Sequence, residues 1–175
     1  MSFSVDGKTV IVTGAANGIG AALARHFAEN DANVMCADID EKALKKDLGQ
    51  SGDDSNVRYF AGDLREKLTL ANLLSATVDA FDRVDVLVNA SRQVATTDPL
   101  DMDDETVEKL LQQNLMTSLR LSQMVAKRMI KQDEEQDHEF AGTIINLSSI
   151  AARLTQPELL AYSVSTAALE QMTRS

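Results

Sequence analysis

The sequence predicts an α/β fold, a doubly wound parallel sheet with helices on both faces. Three observations point there. Short β-branched runs alternate with longer amphipathic segments, and the runs lack the in/out alternation of a sheet with one wet face. The chain has 175 residues, 44% of them hydrophobic, which fill one core without calling for two domains. Residues 1–175 therefore read as a single domain.

The elements follow in order. Residues 9–12, 33–37, 57–61, 84–88 and 143–147 read as strands, and 19–29, 41–48, 67–81 and 105–131 as helices. The fourth strand, Val84-Asp-Val-Leu-Val88, reads as buried on both faces. This βαβαβαβαβ order implies right-handed crossovers. Residues 91–102, with Pro99, read as a loop, and the charged run 132–139 as a solvated connector that makes a functional role for His138 the weaker reading. His26 lies inside the first helix as a packing or surface residue. The tail from Ala161 to Ser175 reads as one more helix, carrying Tyr162.

A net charge of −10 argues against nucleic acid or an anionic membrane as partner, since phosphate is held mainly by clustered Lys and Arg. The opening Met-Ser-Phe-Ser-Val-Asp has no basic start followed by an apolar run, and no stretch is apolar for long enough to span a bilayer, so the expected location is cytoplasmic. Cys36 is the only cysteine and sits in an apolar run, where it reads as a buried structural thiol. No metal site is expected.

Thr13-Gly-Ala-Ala-Asn-Gly-Ile-Gly20 joins the first strand to the first helix. Glycines at 14, 18 and 20 permit a tight turn, close approach of a ligand and close packing of the helix, while the first-turn N–H groups attract phosphate. Asp38 ends the second strand 18 residues past Gly20. A carboxylate there accepts hydrogen bonds from the ribose 2′- and 3′-hydroxyls and repels a 2′-phosphate, so NAD is favoured over NADP. The alternative is that Asp38 simply caps the helix beginning near Asp40. Asp63, at the end of the third strand, reads equally as a cap or an adenine contact.

With these motifs in this order, the chain resembles the short-chain dehydrogenase/reductase family from Lys8 to Ser175, and with it the Rossmann-like fold. The family's glycine signature matches Gly14, Gly18, Ile19 and Gly20, its adenine aspartate Asp63 and its strand-closing asparagine Asn89. The helix asparagine matches Asn114, the catalytic serine Ser149, and the tyrosine 13 residues later Tyr162. The resemblance implies hydride transfer between NAD(H) and a secondary alcohol or ketone. Tyr162 would exchange the hydroxyl proton, Ser149 would bond the substrate oxygen, and Asn114 would hold a relay water. It also places Asn17, Leu64, Ala90 and Tyr162 itself against the cofactor, and homo-oligomers are common in the family.

Three departures qualify that expectation. The family's lysine four residues past the tyrosine is Thr166 here. A tyrosine at its ordinary pKa of ~10 favours its neutral form at pH 7 by roughly 4 kcal/mol, so a partner without charge leaves a poor base. The glycine of the family's bend after the fourth strand is Arg92, read as crowding the nicotinamide or pointing to solvent rather than as a surrogate cation. Finally, the sequence ends inside the tyrosine helix and lacks the family's last strands and substrate lid, which implies an open fifth-strand edge covered by another subunit, or a shortened product. The alternative to an active oxidoreductase is thus a catalytically silent dinucleotide-binding or oligomer-forming protein, or a fragment without a stable site.

Overall fold

Strand β1 (Thr9–Thr13) is buried along its whole length, and its residues divide between two cores. The computed structural model describes residues 4–48, 55–134, 141–154 and 156–175. Val10 and Val12 join Val34, Cys36, Val86, Val88, Ala24 and Leu44 on one face of the sheet. Ile11 joins Met35, Leu87, Leu70, Leu73, Leu121, Val125 and Met129 on the other. Alternate residues of the same strand thus feed opposite faces, which is why these runs are continuously apolar.

The remaining strands are β2 (Asn33–Asp38), β3 (Val57–Ala61), β4 (Val86–Asn89) and β5 (Thr143–Asn146), and all pairings are parallel in the order β3-β2-β1-β4-β5. Helices α1 (Gly18–Glu29), α2 (Glu41–Leu48) and α3 (Lys67–Phe81) connect the first four strands. The order of strands reverses direction between β1 and β4, so the loops leaving those two strands diverge and open a crevice at their carboxyl ends. Both the glycine turn and residues 90–94 lie there. The predicted doubly wound sheet is the one observed, with three local differences.

First, β4 begins at Val86 rather than residue 84. The Val84 backbone is occupied by a side chain: its N–H donates to Gln132 Oε1 (3.0 Å) and its carbonyl accepts from Gln132 Nε2 (2.9 Å). Gln132, read as the start of a solvated connector, is instead the last-turn clamp of helix α5 (Thr117–Glu134) on the sheet. Asp133 and Glu134 complete that helix, and residues 135–139 of the connector, including His138, lie outside the described residues. Next to Val84, Asp85 accepts from the Thr9 N–H (2.9 Å) and from the Arg83 guanidinium, while its own carbonyl accepts from Thr143 N (2.9 Å). One residue therefore ties β1, β4 and β5 together.

Second, the predicted helix 105–131 is broken. Helix α4 (Thr106–Leu110) passes into a π-helical segment, Leu111–Met116, before α5 begins. Asn114 sits within that wider turn, and such turns recur at functional sites. Third, β5 is not doubly buried: its residues alternate between exposed and half-buried, with Ile145 at 40% exposure. Helix α6 (Leu160–Arg174) covers the predicted tail. His26 is exposed on α1, as expected of a surface residue.

Cys36 is fully buried in β2, and desolvation pushes its thiol up to about 12. An acid with a raised folded-state pKa contributes stability that is present below its unfolded pKa and lost above it. Relative to Cys36→Ala, the native chain should lose about 1.4 kcal/mol for each pH unit above ~9, readable from urea unfolding at pH 8 and pH 10. Rapid labelling of the native thiol by a disulfide reagent at neutral pH would contradict this.

Candidate functional site: a groove at the strand carboxyl ends

The groove is built around the glycine turn. Gly14 has φ +67° because the chain must reverse from β1 into α1, and a Cβ there would lie 2.8 Å from Cα of Ser91. A Cβ on Gly20 would lie 2.1 Å from the Gly14 carbonyl oxygen, so α1 docks directly on the turn that precedes it. Thr13 completes the arrangement from below: its hydroxyl oxygen accepts from the N–H groups of Ala90 and Ser91, both at 3.1 Å, tying β1 to the loop after β4. At Gly18 a Cβ would meet nothing within 4 Å. The turn is packed on its protein side and open on its outer side, where the first-turn N–H groups of α1 have no helical acceptor.

The resulting cavity is about 560 Å³, within the range of small-molecule sites. Gly14, Asn17, Gly18, Ile19, Gly20, Asp38, Asp63, Leu64 and Ala90 line it, as do Ile39, Gly62, Arg65, Ser91, Arg92, Gln93, Val94, Gln113 and Leu147. All of the second group except Gln113 follow the end of a strand within a few residues in sequence. Gln113 is there because the π-helical segment presents it to Ser91, its Nε2 lying 3.4 Å from the Ser91 hydroxyl.

The Asp38 carboxylate receives the Ala16 N–H (3.1 Å) on one oxygen and the Asp40 N–H (3.1 Å) on the other. The cap of α2 is a different residue: Asp40 accepts from Ala43 N at 3.0 Å. Asp38 is thus held against the glycine turn at the groove edge and keeps lone pairs for further donors. Asp63 is engaged more fully. Its carboxylate accepts from Arg65 N (3.0 Å) and from Arg65 Nε and Nη2, and this guanidinium holds the carboxyl below the usual carboxylate range. It braces its own turn instead of capping α3, whose N-cap position is Glu66.

Asn89 does not line the groove. It is buried behind the wall, its amide donating to Asn146 Oδ1 (2.8 Å) and to the Ser122 hydroxyl (3.0 Å), so it joins β4, β5 and α5.

The residues that the family resemblance led one to expect on a reaction side, Asn114, Ser149 and Tyr162, also lie off the groove. Asn114 is 2% exposed: its Oδ1 accepts from Gln93 N (2.8 Å), and its Nδ2 donates to Gln93 O (2.9 Å) and the Ser165 hydroxyl (3.1 Å). Its side chain pins the loop that forms one groove wall. Ser149 caps the short turn Ile150–Ala152, accepting from Ala151 N (3.2 Å). Ala151 in turn packs on the cluster of Leu110, Ala161 and Tyr162, which brings the serine turn and the tyrosine into one neighbourhood. The loop after β4 closes that neighbourhood, since Thr97 N donates to Glu158 O (2.8 Å) and Ala161 N to the Thr97 hydroxyl (3.2 Å).

Thr166 is buried, and its hydroxyl donates to the carbonyls of Tyr162 (2.9 Å) and Ser163 (3.1 Å). That hydroxyl is spent within its own helix. Arg92 is exposed, as expected, and it also has a partner: Nη1 donates to the Ser148 carbonyl at 3.0 Å.

A parallel sheet with its crevice at the β1/β4 reversal, a glycine turn open on one side and an acidic residue closing β2 define the architecture of dinucleotide-binding α/β proteins. Comparison with known proteins narrows this class. The family profile described as short chain dehydrogenase matches residues 8–175, and the chain belongs to that family. It is similar to an uncharacterised oxidoreductase of Thermotoga maritima (33% identity, covering 98% of this chain and 64% of that protein). It is also similar to D-threitol dehydrogenase of Mycolicibacterium smegmatis (31% identity, 93% and 60%). Among solved structures, a short chain dehydrogenase from Mycobacterium smegmatis superposes with a TM-score of 0.86 at 27% identity, covering 98% of this chain and 70% of the other. The chain spans about 60–64% of the length of these curated relatives.

Proposed function

We propose that this chain binds NAD in the groove and belongs to an oxidoreductase that transfers hydride between NAD(H) and a secondary alcohol or ketone. The observation that carries the cofactor half is Asp38. Its carboxylate is fixed by the Ala16 N–H at the edge of a cavity whose glycine turn is open to a ligand. Asp38 would accept from the ribose hydroxyls, the turn at Gly18 to Gly20 would hold phosphate, and Asp63 and Leu64 would flank the adenine. NAD, when bound, supplies the hydride acceptor. Support for the alcohol class comes from relatives named D-threitol dehydrogenase, NAD-dependent glycerol dehydrogenase and diacetyl reductase.

On the reaction side, Tyr162 would exchange the proton of the substrate hydroxyl and Ser149 would orient the substrate oxygen. Asn114 would act from behind by fixing the Gln93 wall. Small polyols are the first substrates to assay. The cytoplasm is the setting in keeping with the acidic composition, and among the described residues no helix is long and apolar enough to cross a membrane. Assembly into a homo-oligomer is part of the same proposal.

Calorimetric titration tests the cofactor half. The native chain should bind NAD in preference to NADP, and Asp38→Ala should weaken NAD by about tenfold or more while narrowing the difference between the two cofactors. Failure of the native chain to bind either would sink the reading.

A second reading, a silent dinucleotide-binding protein, is favoured by one observation. Thr166 offers Tyr162 no charge, and its hydroxyl is committed to backbone carbonyls. Binding of NAD without turnover of any polyol, unchanged in Thr166→Lys, would select it.

A further inference from the structure

We infer that Arg92 is a cofactor-binding cation of this groove, gripping the diphosphate of a bound dinucleotide on its nicotinamide side. The inference rests on the reading of the groove as a dinucleotide site. The charges among the lining residues are unevenly balanced. Arg65 is neutralised by Asp63 through several hydrogen bonds. Asp38 faces the groove from the end of β2, and among the described residues its carboxylate has only backbone N–H partners. Arg92 faces it from the opposite side, and among the described residues no carboxylate pairs with it. The groove therefore has an anionic edge at β2 and a cationic edge at the loop after β4.

Position within the loop says what the cation meets. Arg92 follows Ser91, whose backbone lies against Gly14, so the guanidinium springs from a residue adjoining the phosphate-attracting turn. Its one hydrogen bond among the described residues, from Nη1 to the Ser148 carbonyl, draws the side chain towards the end of β5, next to Ser149. A guanidinium carries five N–H donors in a fixed fork, and one carbonyl occupies one of them. The remaining donors suit two phosphate oxygens, and the Ser148 bond holds the fork in place before a ligand arrives. A ligand matched to this polarity carries hydroxyls at one end and negative charge further along. The adenosine ribose and diphosphate of a dinucleotide have that order. A 2′-phosphate does not, because it would fall beside Asp38.

Arg92→Gln and Arg92→Lys, titrated with ADP-ribose and with AMP at two salt concentrations, separate the possibilities. ADP-ribose contains the second phosphate and AMP lacks it. Arg92→Gln should weaken ADP-ribose by about tenfold, leave AMP within about twofold, and flatten the salt dependence of ADP-ribose binding, while Arg92→Lys should recover part of the loss. Equal losses for both probes would make Arg92 a structural tie to Ser148 and overturn the inference. Unchanged or tighter ADP-ribose binding in Arg92→Gln would do the same, showing a spectator or a side chain that crowds the site. Binding by the native chain with either of these results removes only the role of Arg92. No binding of either probe by the native chain removes the dinucleotide reading as well.

Discussion

Gly20→Ala is expected to destabilise the chain by about 2–3 kcal/mol and to abolish dinucleotide binding, even though alanine is the better helix former. The two effects oppose each other. Replacing a helical glycine by alanine gains roughly 1 kcal/mol from propensity. The added methyl, however, would sit 2.1 Å from the Gly14 carbonyl oxygen and 2.7 Å from its carbon, both backbone atoms. Gly14 cannot retreat, because it is itself pressed against Ser91, whose N–H is held by the Thr13 hydroxyl. Relief requires α1 to lift from the turn, and overpacking of this kind costs more than the propensity gain. At roughly 2–4 °C per kcal/mol for a chain of this size, the midpoint of thermal unfolding should fall by about 5–10 °C. A Gly20→Ala variant that melts at or above the native temperature would show that α1 is not docked on Gly14.

Asn114→Ala should cost about 3 kcal/mol, more than truncation of an ordinary buried polar side chain. Asn114 satisfies both the N–H and the carbonyl of Gln93 and also bonds Ser165. Its removal leaves two backbone groups without their partner, each worth about 1–3 kcal/mol when it stays out of water. The loss should concentrate on the loop after β4. Hydrogen exchange at the Gln93 amide should rise by at least tenfold through local opening, while amides of β1, which exchange through global unfolding, should speed up by no more than the loss of overall stability dictates. Ser165→Ala, which removes one of the three bonds, should cost about 1 kcal/mol. Equal effects of the two variants would mean that the Gln93 contacts carry no weight.

The centre of the sheet was legible because β1, β2 and β4 are buried on both faces, which continuous apolar runs such as Val10–Val12 reflect. Strand ends were less legible, since Val84 is taken out of β4 by the side chain of Gln132, 48 residues away. Around the groove, the placement of the glycine turn and of Asp38 could be read because each lies within a few residues of a strand end. Gln113 could not, because only the π-helical segment of a separate crossover brings it to Ser91. The family resemblance pointed to Asn114, Ser149 and Tyr162 and to the change at Thr166. Only the packing shows that the Thr166 hydroxyl is turned inward to its own helix, and that the Asn114 side chain serves the Gln93 backbone.

The π-helical segment escaped the sequence for a reason with a further consequence. Leu110 and Leu121 are 11 residues apart, and in an unbroken α-helix they would point within roughly 20° of each other, as one continuous apolar stripe. In the fold they serve different clusters, Leu110 against Tyr162 and Leu121 against the sheet. The wider turn between them acts as a phase shifter, turning one seam towards α6 and the other towards the strands. The segment holds one residue more than a plain helix joining the same two seams: after a single deletion between residues 111 and 116, Leu110 and Leu121 would stand ten residues and about 80° apart in unbroken α-helix, so both seams would stay seated and only the wider turn that carries Asn114 would be lost.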